Sequence, residues 1–421
     1  MPRWMAGIVV AVNLASGCSR PDAAPEVAVP TRDSAGIRII ENVRPSWSPG
    51  TEWRLSDTPI LVVDKDAPAT ENVPLDPATA FFNPAGELVV GDGMSNGWNK
   101  LMVYDGQGDY LRSHGRSGKG PCEFGQLWWA VPYRKDSIAA LDYAEHTVSV
   151  FGLNGACARD VRLPRQFVRP SPGTYGYADG AEGVFADGSI LASLMGYVDV
   201  SSGPGIVWYH HALLRIDPDG QVLDSLGIFE ISQVGWNGTK QVQSPLANTA
   251  LLRVHEDEFY FGTSDRYEIR VYAPNGTLGR IVRRSYEPVP IQPTHRAAYI
   301  DFVISLGSHG RELSPADAER QRAQLETESI WPETLPAFSA MLVDAESHLW
   351  IENYRWFYPA GVPPDPPPTS WSVFDRDGRW LGDVQIPGRL LLSSIERDRV
   401  VGLWKDADGV AEVRVYALGR H

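Results

Sequence analysis

Short apolar runs, alternating with polar positions and broken by turns that end in glycine, recur down most of the chain. Five segments share a strand, a turn and a second strand: "LMVYDGQGDYLRSHG", "VSVFGLNGACARDVRL", "LLRIDPDGQVLDSLG", "IRVYAPNGTLGRIV" and "WSVFDRDGRWLGDVQI". Their turn glycines are Gly108, Gly155, Gly220, Gly276 and Gly378, and a shortened sixth copy, "EVRVYALGRH", ends the sequence. Alternation with period two on both sides of an Asp/Asn/Gly turn predicts antiparallel hairpins. Asp105, Asp217 and Asp375, just ahead of these glycines, read as turn formers. Before each hairpin stands another strand introduced by a polar turn, as in "NPAGELVVGD", "FADGSILASL" and "DAESHLWIEN". With an inner strand added, the unit is a four-stranded antiparallel sheet repeated about six times.

This pattern predicts an all-β fold, a six-bladed β-propeller of four-stranded antiparallel blades. The last copy lacks a fourth strand. The N-terminal stretch "TEWRLSDTPILVV" can supply it and close the ring, which leaves no long open edge. Between Gly276 and Gly378 the spacing would admit a further blade. "PTHRAAYIDFVISL" and "SPADAERQRAQLETES" have helical periodicity instead, and Ser314-Pro315 makes a good N-cap with proline at the first helical position. The reading is a helical insertion, about residues 290–335, before blade five. The propeller spans 36–421.

The first residues stand apart. "MPRWMAGIVVAVNLASGC" has one basic residue and then an apolar run too short to span a bilayer. Its layout is that of an export signal over 1–17. Leu14-Ala15-Ser16-Gly17-Cys18 resembles a bacterial lipobox, with alanine where leucine is commoner. That resemblance implies lipidation of Cys18 and anchorage at a membrane in the cell envelope, outside the cytoplasm. An ordinary secretion signal cut nearby is the alternative. Residues 18–35, rich in proline and alanine, read as a flexible tether.

The full length of 421 residues, with 43% hydrophobic and 21% charged positions, is globular in character. A net charge of −14 argues against general nucleic-acid binding, which needs a basic surface to neutralise phosphates.

The chain resembles bacterial six-bladed propeller lipoproteins of the NHL-like and TolB-like families, most without an assigned function. In them the exit from blade one commonly reads Gly-x-x-Gly-x-Gly-Pro-Gly-Glu-Phe. "GRSGKGPCEFG" matches it with Gly115, Gly118, Gly120, Pro121, Glu123 and Phe124, and has Cys122 where glycine is usual. "LPAFSAMLVDAESHLWIENY" is similar to the family's approach to blade five. The resemblance covers roughly residues 50–420 and implies fold more than activity.

Read on its residues, the glycine-rich stretch is a crossover between blades. A phosphate-binding loop would need Gly-x-x-x-x-Gly-Lys-Ser/Thr before a helix, which is absent. Cys122 and Cys157 lie in neighbouring blades of an exported protein, where a disulfide is permitted. A bridge is the favoured reading, although the hairpin turn beside Cys157 could hold the two apart. No histidine cluster near them has metal-ligand spacing, so no metal site is assigned.

Strand order fixes which loops share a face. The 1–2 and 3–4 turns are uniformly short, whereas the 2–3 and 4–1 connections are long and aromatic. Long loops on a rigid scaffold are where function concentrates. The candidate binding face therefore comprises Trp128, Trp129, Trp208, Tyr209, His210, His211, Arg266, Tyr354, Arg355 and Trp356. Aromatic rings with polar tips suit recognition of carbohydrate, aromatic or protein surfaces. Adjacent residues in a strand point to opposite faces, so His210 and His211 are not expected to share an ion.

The leading reading is a membrane-anchored propeller that binds a ligand or a protein partner on this face. Two alternatives stay open. One is an extracytoplasmic hydrolase or lactonase-like enzyme working at the central channel with Glu145, His146, Asp265, Arg266, Glu352 or Lys405, although no nucleophile or zincin motif occurs. The other is a structural component of an envelope complex. The sequence identifies no cofactor.

Overall fold

The structure is a computed structural model that describes residues 30–63, 77–93, 99–163, 178–307, 313–354, 366–405 and 410–420. Four short strands open the chain: β1 (Thr31–Ser34), β2 (Ile37–Asn42), β3 (Arg54–Leu55) and β4 (Leu61–Val63). Six sheets follow. The first is β5 (Pro77–Phe82), β6 (Leu88–Asp92), β7 (Lys100–Tyr104) and β8 (Tyr110–His114). The second is β9 (Leu127–Tyr133), β10 (Ser137–Asp142), β11 (Thr147–Gly152) and β12 (Cys157–Arg162). The third is β13 (Ala178–Val184), β14 (Ile190–Val198), β15 (Gly205–Ile216), β16 (Val222–Trp236) and β17 (Gln241–Val242).

The fourth sheet has β18 (Ala250–His255), β19 (Glu258–Thr263), β20 (Glu268–Tyr272) and β21 (Leu278–Arg284). Then come helices α1 (Pro293–Ser305) and α2 (Pro315–Glu328). The fifth sheet is β22 (Phe338–Val343), β23 (Leu349–Asn353), β24 (Thr369–Phe374) and β25 (Trp380–Ile386). The sixth is β26 (Leu390–Ile395), β27 (Arg399–Lys405) and β28 (Ala411–Gly419). Within each sheet these strands pair antiparallel in sequence order.

The cores show how the sheets are arranged. Six clusters of buried apolar side chains each join two consecutive sheets, and one joins the last sheet to the first. Val401, Val413 and Val415 pack there against Ala80, Val90 and Tyr104. Across the next interface, Val89 and Phe81 meet Ile138 and Phe151. The sheets thus close a ring, a propeller-like fold in which nearly every blade surface is covered by a neighbour. This double coverage explains why second strands such as β6 are buried at every position. Their apolar runs are continuous because both of their faces are in the core.

The ring closes on the N-terminal segment. β4 pairs antiparallel with β28, Leu61 opposite Val415 and Val63 opposite Val413, and β3 pairs with its end, Leu55 opposite Leu418. The segment also does something the local pattern did not announce. The expected tether, 18–35, ends in a strand: β1 and β2 form a hairpin, and β2 joins the outer edge of the fourth sheet parallel to β21. From there the chain crosses the fifth sheet's outer strand, with the Trp47 N–H donating to Leu381 O at 2.7 Å, before reaching the sixth. Residues 31–63 therefore strap three consecutive sheets.

The third sheet departs from the expectation of long connections on that face. The stretches "GYVDVSSGPGIVWYHH" and "ISQVGWNGTKQVQSP" have loop-like composition. Both lie largely in strands, because β14, β15 and β16 continue past the level of the other sheets and β17 folds back on β16. Val207 and His211 are buried, four positions apart, with a register shift between Tyr209 and His210.

Candidate functional site

The glycine-rich crossover is held by its own polar groups. Arg116 Nε donates to Glu123 Oε1 at 2.7 Å and the Gly120 N–H donates to Glu123 Oε2 at 2.9 Å. Cys122 has a left-handed backbone, φ 53°, at the position where the related motif carries glycine. Two contacts hold it there. Its N–H donates to the Asp160 carboxylate at 3.0 Å, and its sulfur is bonded to Cys157, Cα–Cα 6.0 Å. Among the described residues, the only metal-capable group of three is Cys122, Cys157 and Asp160, and the disulfide occupies both of its sulfurs.

On the long-loop face, the second sheet brings Trp128 beside Tyr143 (centroids 5.2 Å) and Tyr143 beside His146 (5.9 Å). Trp128 is 45% exposed, a large indole on an innermost strand with one side open to solvent. Lys119 and Glu145 form an ion pair at 3.6 Å on the same side. This row of three rings is the clearest exposed aromatic feature among the described residues of that face.

The other expected face residues are engaged in different ways. Trp129 is structural: its Nε1 donates to Ala181 O at 2.7 Å and it packs against the core between the second and third sheets. His211 is buried and lies against Tyr209 edge to face at 5.3 Å. His210 stacks on Tyr197 at 5.1 Å, its cross-strand partner, which leaves the two histidines on opposite sheet faces. Trp208 sits in β15 across from Gln233. Arg266 is half exposed and paired with Asp265 at 3.5 Å. Burial raises the Tyr354 phenol to about 12. Arg355, Trp356 and Cys18 lie outside the described residues.

Of the candidate channel groups, Asp265 and Arg266 pair with each other at 3.5 Å. Glu145 pairs with Lys119, and Glu352 accepts from Ser339 Oγ at 2.7 Å. Sequence reasoning passed over two charged residues on innermost strands, Glu182 in β13 and Arg253 in β18. Enclosure lowers the Arg253 pKa while Glu182 opposes the shift. Ser193 Oγ donates to Glu182 at 2.7 Å. A charge inside an otherwise apolar innermost strand, as in "LLRVH", was the available signal.

No family model matches the chain, and no curated protein matches it. Among solved structures, it is similar to a candidate exported protein of Bacteroides fragilis at 13% identity and TM-score 0.48, covering 91% of this chain and 99% of that one. A member of the duf4221 family from Bacteroides vulgatus gives 10% identity and TM-score 0.47, over 88% and 99%. A gluconolactonase of Xanthomonas campestris gives 12% identity and TM-score 0.36, over 88% and 99%. At these scores the fold stands on the chain's own strand pairing and its ring of core clusters.

Proposed function

We propose that this protein is a lipid-anchored, extracytoplasmic six-bladed propeller that binds a ligand or protein partner on its long-loop face. The observation that carries the reading is the asymmetry of the ring. The raised third sheet, both helices and the Trp128–Tyr143–His146 row all belong to connections of one end, while the opposite end has only tight turns. Aromatic side chains held on strands present a large contact area at low entropic cost, which suits a recognition surface. The apolar N-terminal run ending in Cys18 supports anchorage in the envelope.

Site-specific photocrosslinking in cells tests the binding face. A photoreactive residue at position 128 is expected to capture a discrete partner or ligand, and one at Asp219 on the opposite end is expected to capture none. Equal capture from both ends, or from neither, overturns the reading. Palmitate incorporation lost in Cys18→Ala tests the anchor, and an unlabelled wild type ends that part of the proposal.

A further inference from the structure

The raised third sheet and the helical insertion face each other across a cleft of about 490 Å³, within the range of small-molecule sites. Its walls are unusual in composition. Five glutamines line it: Gln233 from β16, Gln241 and Gln243 from the β17 segment, and Gln321 and Gln324 from α2.

The sequence of α2 accounts for one wall. Ser314 caps it, its Oγ accepting the Asp317 N–H at 3.2 Å, and Pro315 begins it. Residues 321, 324, 325 and 328 fall at spacings of three, four and seven, which places them on one helical face. A face turned toward a neighbouring wall is ordinarily apolar. Here only Leu325 is apolar and buried, and the others are Gln321, Gln324 and Glu328.

These amides are largely uncommitted. The side chains of Gln241, Gln243 and Gln321 have no partner among the described residues. Gln233 uses its oxygen on Asn248, and its two N–H groups have no partner among the described residues, whereas Gln324 donates to Glu328 at 3.3 Å. Ser244 also lines the cleft.

We infer that this cleft is a binding site for a neutral, polyhydroxylated ligand, an oligosaccharide in class. A glutamine amide carries donor and acceptor side by side, a match for vicinal hydroxyls, which both give and accept, and Gln241, Gln243 and Gln321 keep both. Lys240 and Glu328 are the lining's two charges and they cancel, so the cleft selects neither an anion nor a cation. Two of the glutamines are directly opposite tryptophans in the sheet, Gln233 with Trp208 and Gln241 with Trp236. Cross-strand partners share a sheet face, but neither indole is part of the cleft lining. The inference rests on the long-loop-face reading only for its location, since none of the cleft residues belongs to the Trp128 row.

Isothermal titration of the full chain with maltotriose and N,N′,N″-triacetylchitotriose, and with trigalacturonate as an acidic control, tests it. Saturable binding of one neutral trisaccharide is expected, weakened about tenfold or more in Gln243→Ala/Gln321→Ala, as loss of two ligand hydrogen bonds implies. Gln243 is exposed, Gln321 is half-buried, and neither side chain has a partner among the described residues, so the melting temperature should hardly move. Hydrogen exchange of the wild type gives a second readout, with amides in 241–244 and 321–329 slowed by the sugar. Asp219→Ala, in a tight turn of the opposite end, should leave the sugar affinity intact. No saturation by either neutral sugar, equal affinity for the acid, binding that survives the double substitution, or loss of binding in Asp219→Ala each overturns the inference. Failure here with position 128 still capturing a partner sinks this site and spares the wider reading.

Discussion

Asn42 accepts the backbone N–H of Trp380 at 2.8 Å, across 338 positions of sequence. The same carboxamide donates to Arg283 O and Gly378 O, both at 2.9 Å, and the residue is buried. One side chain on β2 therefore satisfies three backbone groups belonging to the fourth and fifth sheets. Replacing it with leucine strands those groups in an apolar setting. We expect Asn42→Leu to destabilise the fold by about 2–4 kcal/mol, measured by chemical unfolding, well beyond the loss of one ordinary hydrogen bond.

Gly382 makes a different contact with the same strap. A β-carbon there would overlap the indole of Trp47. Gly382→Ala should force Trp47 off its seat and cost about 1–3 kcal/mol. Adding Trp47→Ala to it should cost less than the two single changes summed, because the clash disappears with the ring. A double-mutant cycle in urea reads the difference.

The Cys122–Cys157 bridge closes a 35-residue separation. On loop entropy alone it contributes about 3–4 kcal/mol. Cys122→Ala/Cys157→Ala, or treatment with reductant, should lower the unfolding midpoint by a matching amount. The crossover should feel it first, since Cys122 would keep its left-handed backbone with only the Asp160 contact to hold it.

His114 makes stability depend on pH. Its ring is buried, and neither nitrogen has a partner among the described residues. Burial first, then the nearby Arg112 charge, lower its pKa to about 4, against a weaker opposing pull from Glu87. The fold thus holds the neutral form, and its contribution is complete above the ordinary histidine value. It is lost as pH falls from about 6.5 toward 4, as the unfolded chain takes up the proton first, and it amounts to about 3 kcal/mol. His114→Phe should flatten that limb of a stability–pH profile measured between pH 7 and 4.

Much of this architecture could be read in advance because its causes are local. Asp217 shows why: its carboxylate accepts the N–H groups of Asp219 and Gln221 at 2.9 and 2.8 Å, so a five-residue stretch contains both the turn and the forces that hold it. The same holds for Ser314 at the start of α2. The aromatic run 205–211 has the glycines and rings of a loop, and its place in a strand is decided by pairing with β16.

Hairpins, the two helices and the closing strand near residue 61 follow from the order of residues, since period and turn chemistry act over a few positions. The strap over three sheets, the partition of Trp128 and Trp129 into an exposed ring and a core ring, and the glutamine-lined cleft had to await the folded chain. Each depends on groups dozens to hundreds of positions apart, and their meeting is set by how the sheets pack around the ring, which no local pattern encodes.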